Sequence, residues 1–267
     1  MADRLRIALA QLNPKVGDLS GNLALAKGAL ADAVAARADV LMLSELLLTG
    51  YFPEDLFFKP RFIDDALATA AELVRATKGT TGSLLLPTVW RDGHHLYNAV
   101  VLAEDGRVVA RRYKRELPND DVFYEKRYFN RGPLPEPVTI KGTTIGVPIC
   151  EDIWHQQVSD YLMAQGAEIL LCPNGSPYWA NKQHIRKDLI RSRTVETHLP
   201  VLYLNQVGGQ DELVFDGAGF GMEPGNRLVF QAKSFEADFI VTDWEKTKAG
   251  WRCTKGDVVA LASVEEA

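Results

Sequence analysis

GVPICEDIW, Gly146 to Trp154, is the stretch that decides how this chain is read. Thr144, Ile145, Val147 and Ile149 predict a strand, and that strand runs into a cysteine followed at once by two acids, Glu151 and Asp152. The same arrangement recurs twice upstream. LMLSELLLTGY places Glu45 just past a short apolar strand, and RRYKRELPND places Lys114 at the end of another. Strand ends in α/β proteins collect reactive groups, because the sheet is rigid and the following loops are free to vary.

Working outward, strands and helices alternate. Leu5–Gln11, Asp39–Leu43, Ser83–Trp90 and Leu96–Glu104 are predicted strands, and Asn22–Ala36 and Ile63–Thr77 have helical apolar spacing. Asp105-Gly106 predicts a hairpin into Val108–Tyr113. Arg115–Pro137 is polar and broken by prolines, so it is a long loop. A second hairpin is expected around Gly142, then a helix over Gln156–Gln165, a strand over Glu168–Pro173 and a helix over Lys182–Thr197. Strands over Val201–Gln206, Gly219–Met222, Arg227–Gln231 and Phe239–Asp243 complete the set. Helical crossovers together with hairpins imply mixed rather than all-parallel sheets.

Composition narrows the function. The 267 residues are 46% hydrophobic and 24% charged, which suits one large domain with a substantial core. A net charge of −5 argues against a nucleic-acid or membrane-surface partner, since both want a basic face. No apolar run approaches the ~20 residues of a membrane span. The N-terminal apolar stretch is too short for a signal peptide. Cys150, Cys172 and Cys253 cannot all pair and show no C-x-x-C spacing, so we expect a reducing cytoplasm with neither a zinc site nor a disulfide framework. GAGFG, Gly217–Gly221, lacks the last glycine of a dinucleotide fingerprint, so its glycines are expected to serve tight packing near the site.

The three strand-end groups suit one reaction. A thiol is mostly protonated at neutral pH, and a nearby carboxylate such as Glu45 can take its proton as it attacks. An ammonium such as Lys114, with a backbone N–H just after Cys150, can hold the resulting oxyanion, one such donor contributing about 3–4 kcal/mol. The implied chemistry is acyl transfer through a thioester. Taken singly, each residue has a plainer reading: a cysteine at a strand end is usually a small buried hydrophobe. That reading suits Cys172 in EILLCPN and Cys253 in the polar tail. A cysteine–histidine scheme with His155, His184 or His198 is the weaker alternative, because His155 falls on the helix after the cysteine. His94 and His95 are expected in a solvated turn.

SELLLTGYFPEDL, YKRELPN, VFYEKRYF, GVPICEDIW and CPNGSPY, in this order and spacing, resemble the nitrilase superfamily of carbon–nitrogen hydrolases. The strings LPN, EKRYF and ICEDIW are more narrowly similar to the N-terminal glutaminase domain of the glutamine-dependent NAD synthetase family. The resemblance runs from IALAQLNPKVGDLSGN to VTDW. It implies a four-layer α-β-β-α sandwich over residues 1–267, with Glu45 as general base, Lys114 as oxyanion lysine, Cys150 as nucleophile and Glu125 as a second glutamate near the lysine. It further implies that Tyr51 and Phe123 shape the pocket, that Glu151 faces the α-ammonium of glutamine, and that Asp120, Ser176 and Lys182 contact the substrate. At Asp120 the family commonly has tyrosine, so a contact through a ring or phenol is lost there.

No cofactor is expected within this chain. ATP and magnesium would belong to a synthetase domain or subunit, whose SGG-x-DS loop has no counterpart here, and the chain ends at ALASVEEA near where a connecting segment would begin. Glutamine, that synthetase partner and a homo-oligomer are the expected partners. Two rival readings are a free-standing amidase or carbamoylase acting on another small amide, and a non-catalytic assembly module.

Overall fold

The computed structural model describes residues 3–120 and 122–256. In chain order the elements are β1 (Arg4–Gln11), α1 (Leu19–Ala35), β2 (Val40–Leu43), α2 (Pro60–Ala76), β3 (Ser83–Asp92), β4 (His95–Glu104), β5 (Arg107–Tyr113), β6 (Val138–Ile140) and β7 (Thr143–Gly146). They continue as α3 (Gln156–Ala164), β8 (Ile169–Pro173), α4 (Lys182–Thr197), β9 (Val201–Leu204), β10 (Val207–Gln210), β11 (Leu213–Asp216), β12 (Phe220–Glu223), β13 (Arg227–Gln231), β14 (Asp238–Thr247) and β15 (Gly250–Lys255).

Two large sheets form. One has the order β15-β14-β1-β2-β3-β4-β5 and the other β13-β12-β9-β8-β7-β6, with β10 and β11 as a separate hairpin. Each sheet has a parallel trio at its centre, β1-β2-β3 and β7-β8-β9, and every outer pairing is antiparallel. The four helices are the four crossovers that parallel neighbours require.

Side-chain alternation makes the layers. From β1, Leu5, Ile7 and Leu9 join Val40, Met42, Ile145, Ile169, Leu171 and Leu202 in a core between the two sheets. Ala8 and Ala10, one residue out of phase, face Ala26, Ala29, Leu30 and Ala33 of α1 and Leu73 of α2. On the other side Leu170, Val201 and Tyr203 pack against Val158 and Leu162 of α3 and Ile190 of α4. The result is the four-layer α-β-β-α sandwich. α1 starts where Asp18 accepts the Gly21 N–H at 2.8 Å, and α2 has Pro60 in its first turn, where the missing N–H costs nothing.

Several boundaries differ from expectation. β7 ends at Gly146 rather than Ile149, because Pro148 has no N–H to offer a ladder; Cys150 opens a 3₁₀ turn, Cys150–Trp154. Cys253 lies on β15, buried in the inter-sheet core, not in a polar tail. The hairpin β10–β11 and strand β15 were masked by glycines and charges in the sequence. His94 lies in the turn but His95 begins β4, both exposed. A Cβ at Gly217, whose φ is +64°, would lie 2.4 Å from Gln11 Nε2, so GAGFG does pack tightly. ALASVEEA lies outside the described residues.

Candidate active site

Glu45 follows β2, Lys114 follows β5, and both side chains are fully buried. Lys114 Nζ donates to Glu45 Oε1 at 2.7 Å and to Glu125 Oε1 at 2.8 Å. Burial opposes the Lys114 charge, but the Glu125 and Glu45 carboxylates outweigh it and hold the ammonium well above the ordinary lysine range. Glu125 stands in the 3₁₀ turn of the long loop, and its Oε1 also accepts the Tyr51 hydroxyl at 2.9 Å. Burial pushes the Glu125 carboxyl up to about 7 against the pull of Lys114. Its second oxygen, Oε2, is buried with no hydrogen-bond partner among the described residues. An ammonium has three donors, so the two carboxylate bonds engage two of Lys114's three.

Cys150 sits at φ +46°, in the left-handed region that costs a non-glycine residue about 1–3 kcal/mol. Such a conformation persists only when the surroundings over-determine it. Asp152 does much of that: its N–H returns to the Ile149 carbonyl at 3.0 Å, and its Oδ2 accepts the Ile149 N–H at 3.0 Å. Its Oδ1 accepts the N–H groups of Arg115 and Glu116 at 3.0 and 2.7 Å. One buried carboxylate thus ties the residue before Cys150 to the residue after Lys114. Burial pushes Asp152 up to about 7 although these N–H groups pull it down. Cys150 is 4% exposed, and burial, then the Glu45 charge, push its thiol well above the ordinary range. At rest it carries its proton, so attack requires a base.

The expected substrate residues are distributed around this core. Tyr51 is buried, its ring 6.4 Å from that of half-buried Phe123. Gly175 is required where it is, because a Cβ there would lie 2.7 Å from the Tyr51 ring. Ser176 is buried in the loop after β8, and its Oγ accepts from Arg186 Nε at 3.2 Å. Lys182 opens α4 with its ammonium 3.3 Å from the centroid of a Trp179 ring and 4.7 Å from that of Trp154. Glu151 is half-buried; burial raises its carboxyl, and Lys114, His155 and Lys182 pull it down. Asp120 is exposed, and the contact it makes is through its carbonyl, which accepts the Phe123 N–H at 3.1 Å.

His155 precedes α3 instead of lying on it, and it is exposed and contacts Glu151 at 3.4 Å. His184 and His198 are exposed too, so no histidine is placed to serve the buried Cys150. Sequence reasoning passed over Asn98, Arg186 and Asn205. All three are buried, and Asn98 donates to Glu45 Oε1 at 2.7 Å. A polar residue inside the apolar run LYNAVVL was the available signal. Among the described residues no cluster of histidine, cysteine or acidic groups is arranged to hold a metal ion, and no helix is long and apolar enough to cross a membrane.

Residues 6–249 match the carbon–nitrogen hydrolase family. The chain is 45% identical over 97% of its length to a glutamine-dependent NAD(+) synthetase of Rhodobacter capsulatus, and 36% identical over 90% to one of Thermotoga maritima. It spans only 47% and 42% of those two proteins, about half the length of the curated relatives it matches. A glutamine-dependent NAD+ synthetase structure from Acinetobacter baumannii superposes with a TM-score of 0.88 at 30% identity, covering 94% of this chain and 48% of that one. An amidase from Nesterenkonia sp. AN1 shares the fold, with a TM-score of 0.82 at 24% identity over 90% of both chains. A buried cysteine turn, a buried carboxylate and a buried ammonium beside paired sheets are therefore set in a family frame: the chain belongs to the carbon–nitrogen hydrolase family.

Proposed function

We propose that this chain hydrolyses the side-chain amide of glutamine to glutamate and ammonia through a thioester on Cys150. The observation that carries the reading is the open cluster at Lys114: a buried ammonium held by Glu45 and Glu125 that, among the described residues, has one donor to spare and leaves Glu125 Oε2 unpartnered. An amide fits both vacant valences, since its N–H₂ donates to a carboxylate and its carbonyl accepts from an ammonium. The Cys150 thiol passes its proton to Glu45 as sulfur attacks the carbonyl carbon. The oxyanion is held by Lys114 and by a backbone N–H after Cys150. Glu45 returns the proton to the leaving nitrogen, ammonia departs, and water then cleaves the thioester by the same proton path.

Glutamine is favoured over other amides by what surrounds the cluster. Glu151 offers a half-buried carboxylate to an α-ammonium, and Ser176 and Lys182 offer a hydroxyl and a cation to an α-carboxylate. The names of the relatives agree with this choice. Within the same proposal, the ammonia amidates an adenylylated nicotinic acid dinucleotide at a synthetase domain or subunit. ATP and magnesium would act there, and copies of the chain would associate. A non-catalytic assembly module has no use for a buried ammonium with a free donor.

The test is ammonia release from glutamine compared with other small amides, alongside labelling by a glutamine-like diazoketone. Label mass on the peptide holding Cys150, with activity lost in step, is expected. Label on Cys172 or Cys253, or equal turnover of unrelated small amides, overturns the reading. Adding a separately produced synthetase domain with its nucleotide substrates should raise glutaminase turnover.

A further inference from the structure

The Glu45 carboxylate is held asymmetrically. Its Oε1 accepts two hydrogen bonds, from Lys114 Nζ and from Asn98 Nδ2, both at 2.7 Å. Its Oε2 accepts one, from the Gly175 N–H at 2.9 Å. Each carboxylate oxygen has two in-plane lone pairs. Oε1 is therefore saturated, and Oε2 keeps one lone pair open. Asn98 is fully buried in the middle of β4, and its backbone carbonyl also accepts the Lys114 N–H at 2.8 Å. The same residue thus fixes the base through its side chain and the lysine through its main chain.

We propose that Asn98 is a positioning residue that makes Oε2 of Glu45, and not Oε1, the oxygen that exchanges protons with Cys150 and the substrate. This rests on the reading of Glu45 as the base. The S–H bond of Cys150 breaks toward Oε2 as the sulfur–carbon bond forms, and the carbonyl electron pair moves onto oxygen. Oε2 then gives that proton to the departing nitrogen, so the ammonia balances; it takes a second proton from the water that attacks the thioester and returns it to the Cys150 sulfur as the carbon–sulfur bond breaks. Without the Asn98 amide, Oε1 regains an open lone pair. The carboxylate can then turn about its last torsion, and both oxygens compete for the thiol proton in mixed geometries.

The other residues cannot substitute for Asn98. Lys114 gives one donor to Glu45 and one to Glu125 and, in the proposed reaction, its third to the substrate oxygen, and the Gly175 N–H is fixed on Oε2 by the loop after β8. The charged groups that bear on position 98 are Glu45 after β2, Lys114 after β5 and, across Lys114, Glu125 from the long loop. A carboxyl placed at 98 would face Glu45 directly. It could donate to Oε1 only while protonated.

That gives a two-variant test on the whole chain, read by turnover of glutamine and by the rate at which iodoacetamide alkylates Cys150. Asn98→Ala should lower kcat and the alkylation rate by about 10- to 100-fold, the effect of losing a hydrogen bond to a charged group, with KM changed by less than about threefold. Asn98→Asp should be impaired at pH 8 and recover toward the unsubstituted chain as pH falls to 5.5, so that the ratio of their rates rises. A purely structural role would not move that ratio. Should Asn98→Ala fold with kcat and alkylation unchanged, or the Asn98→Asp ratio stay flat with pH, the assignment is overturned. Glu45→Gln is run beside them: if it retains full turnover, the base itself is misassigned and the proposal falls with it. If it abolishes turnover while Asn98→Ala is silent, only the role of Asn98 fails.

Discussion

Among the described residues, the buried ion clusters at Arg186 and at Lys114 are built differently. At Arg186 every side-chain nitrogen has a hydrogen-bond partner. Its Nη1 donates to Asp216 Oδ1 at 2.7 Å, its Nη2 to the carbonyls of Ser176 and Pro177 at 2.7 and 3.0 Å, and its Nε to Ser176 Oγ. Asp216 Oδ2 accepts from Gln183 at 2.9 Å. One cation meets one anion, and the cluster ties α4 to the loop after β8 and to β11. At Lys114 one cation meets two carboxylates, and Glu125 Oε2 has no hydrogen-bond partner among the described residues. Both clusters are out of water, where an unpaired polar atom is costly. The first is closed and holds backbone in place. The second is open, and an amide is the ligand we propose for it.

The largest effect should come from breaking the open cluster. Lys114→Ala removes the proposed oxyanion donor and leaves two buried carboxylates without their shared counter-ion. We expect kcat to fall by about 10²–10³-fold or more, with loss of stability in urea as well. A kcat within tenfold of the unsubstituted chain would mean that the open cluster is not catalytic.

The closed cluster should behave in the opposite way. Arg186→Ala strands a buried Asp216 and should cost about 3–5 kcal/mol of stability. Replacing both members, with Arg186→Met and Asp216→Leu, should recover more than half of that, since a buried pair is often exchangeable for apolar packing. No such double replacement at Lys114 and Glu125 should recover turnover. If the Arg186 pair cannot be replaced either, the two clusters do not differ in this respect.

The smallest effect is a pH slope. Glu125 takes up its proton at about 7 in the folded chain, against about 4.3 for an ordinary carboxyl. Between those values the folded state holds a proton that the unfolded state has lost. Its contribution to stability is therefore fully present below about 4.3 and is lost as pH rises through 7. Urea midpoints measured from pH 5 to pH 8 should fall with rising pH, and Glu125→Gln should flatten part of that fall. Asp152, also pushed to about 7, should keep the rest. A midpoint that rises over this range would show that Glu125 stays ionised at rest.

The open cluster was partly readable in advance and the closed one was not. Glu45 and Cys150 stand out because each comes just after a run of apolar residues, with a group that such a run has no reason to carry, whereas Lys114, among the charges of RRYKRE, stands out only by its place at the end of a predicted strand. Glu125 was reached only through a resemblance in VFYEKRYF, since a glutamate among charged and aromatic neighbours in a loop has no periodicity to set it apart. Asn98 and Arg186 were missed for a related reason. Each is a polar residue inside a regular element, and its partner lies far away along the chain: 53 residues for Asn98 and Glu45, 30 for Arg186 and Asp216.

Local pattern determined most of the fold. Alternation and helical spacing are properties of neighbouring residues, so the order of strands and helices, the crossover helices of the parallel trios and the Asp105-Gly106 hairpin were set by sequence alone. Where glycine or proline interrupts the pattern, at β10, at β15 and at the true end of β7, the local signal failed and only ladder pairing decided. The tertiary structure alone decided which strand ends face one another. It brought β2, β5 and the turn after β7 together, gave Lys114 two carboxylates instead of one, and let Asp152 clamp segments 37 and 36 residues away. Those outcomes depend on how two sheets stack through a shared apolar core. That stacking is set by the summed burial of many side chains, and no short stretch of sequence carries it.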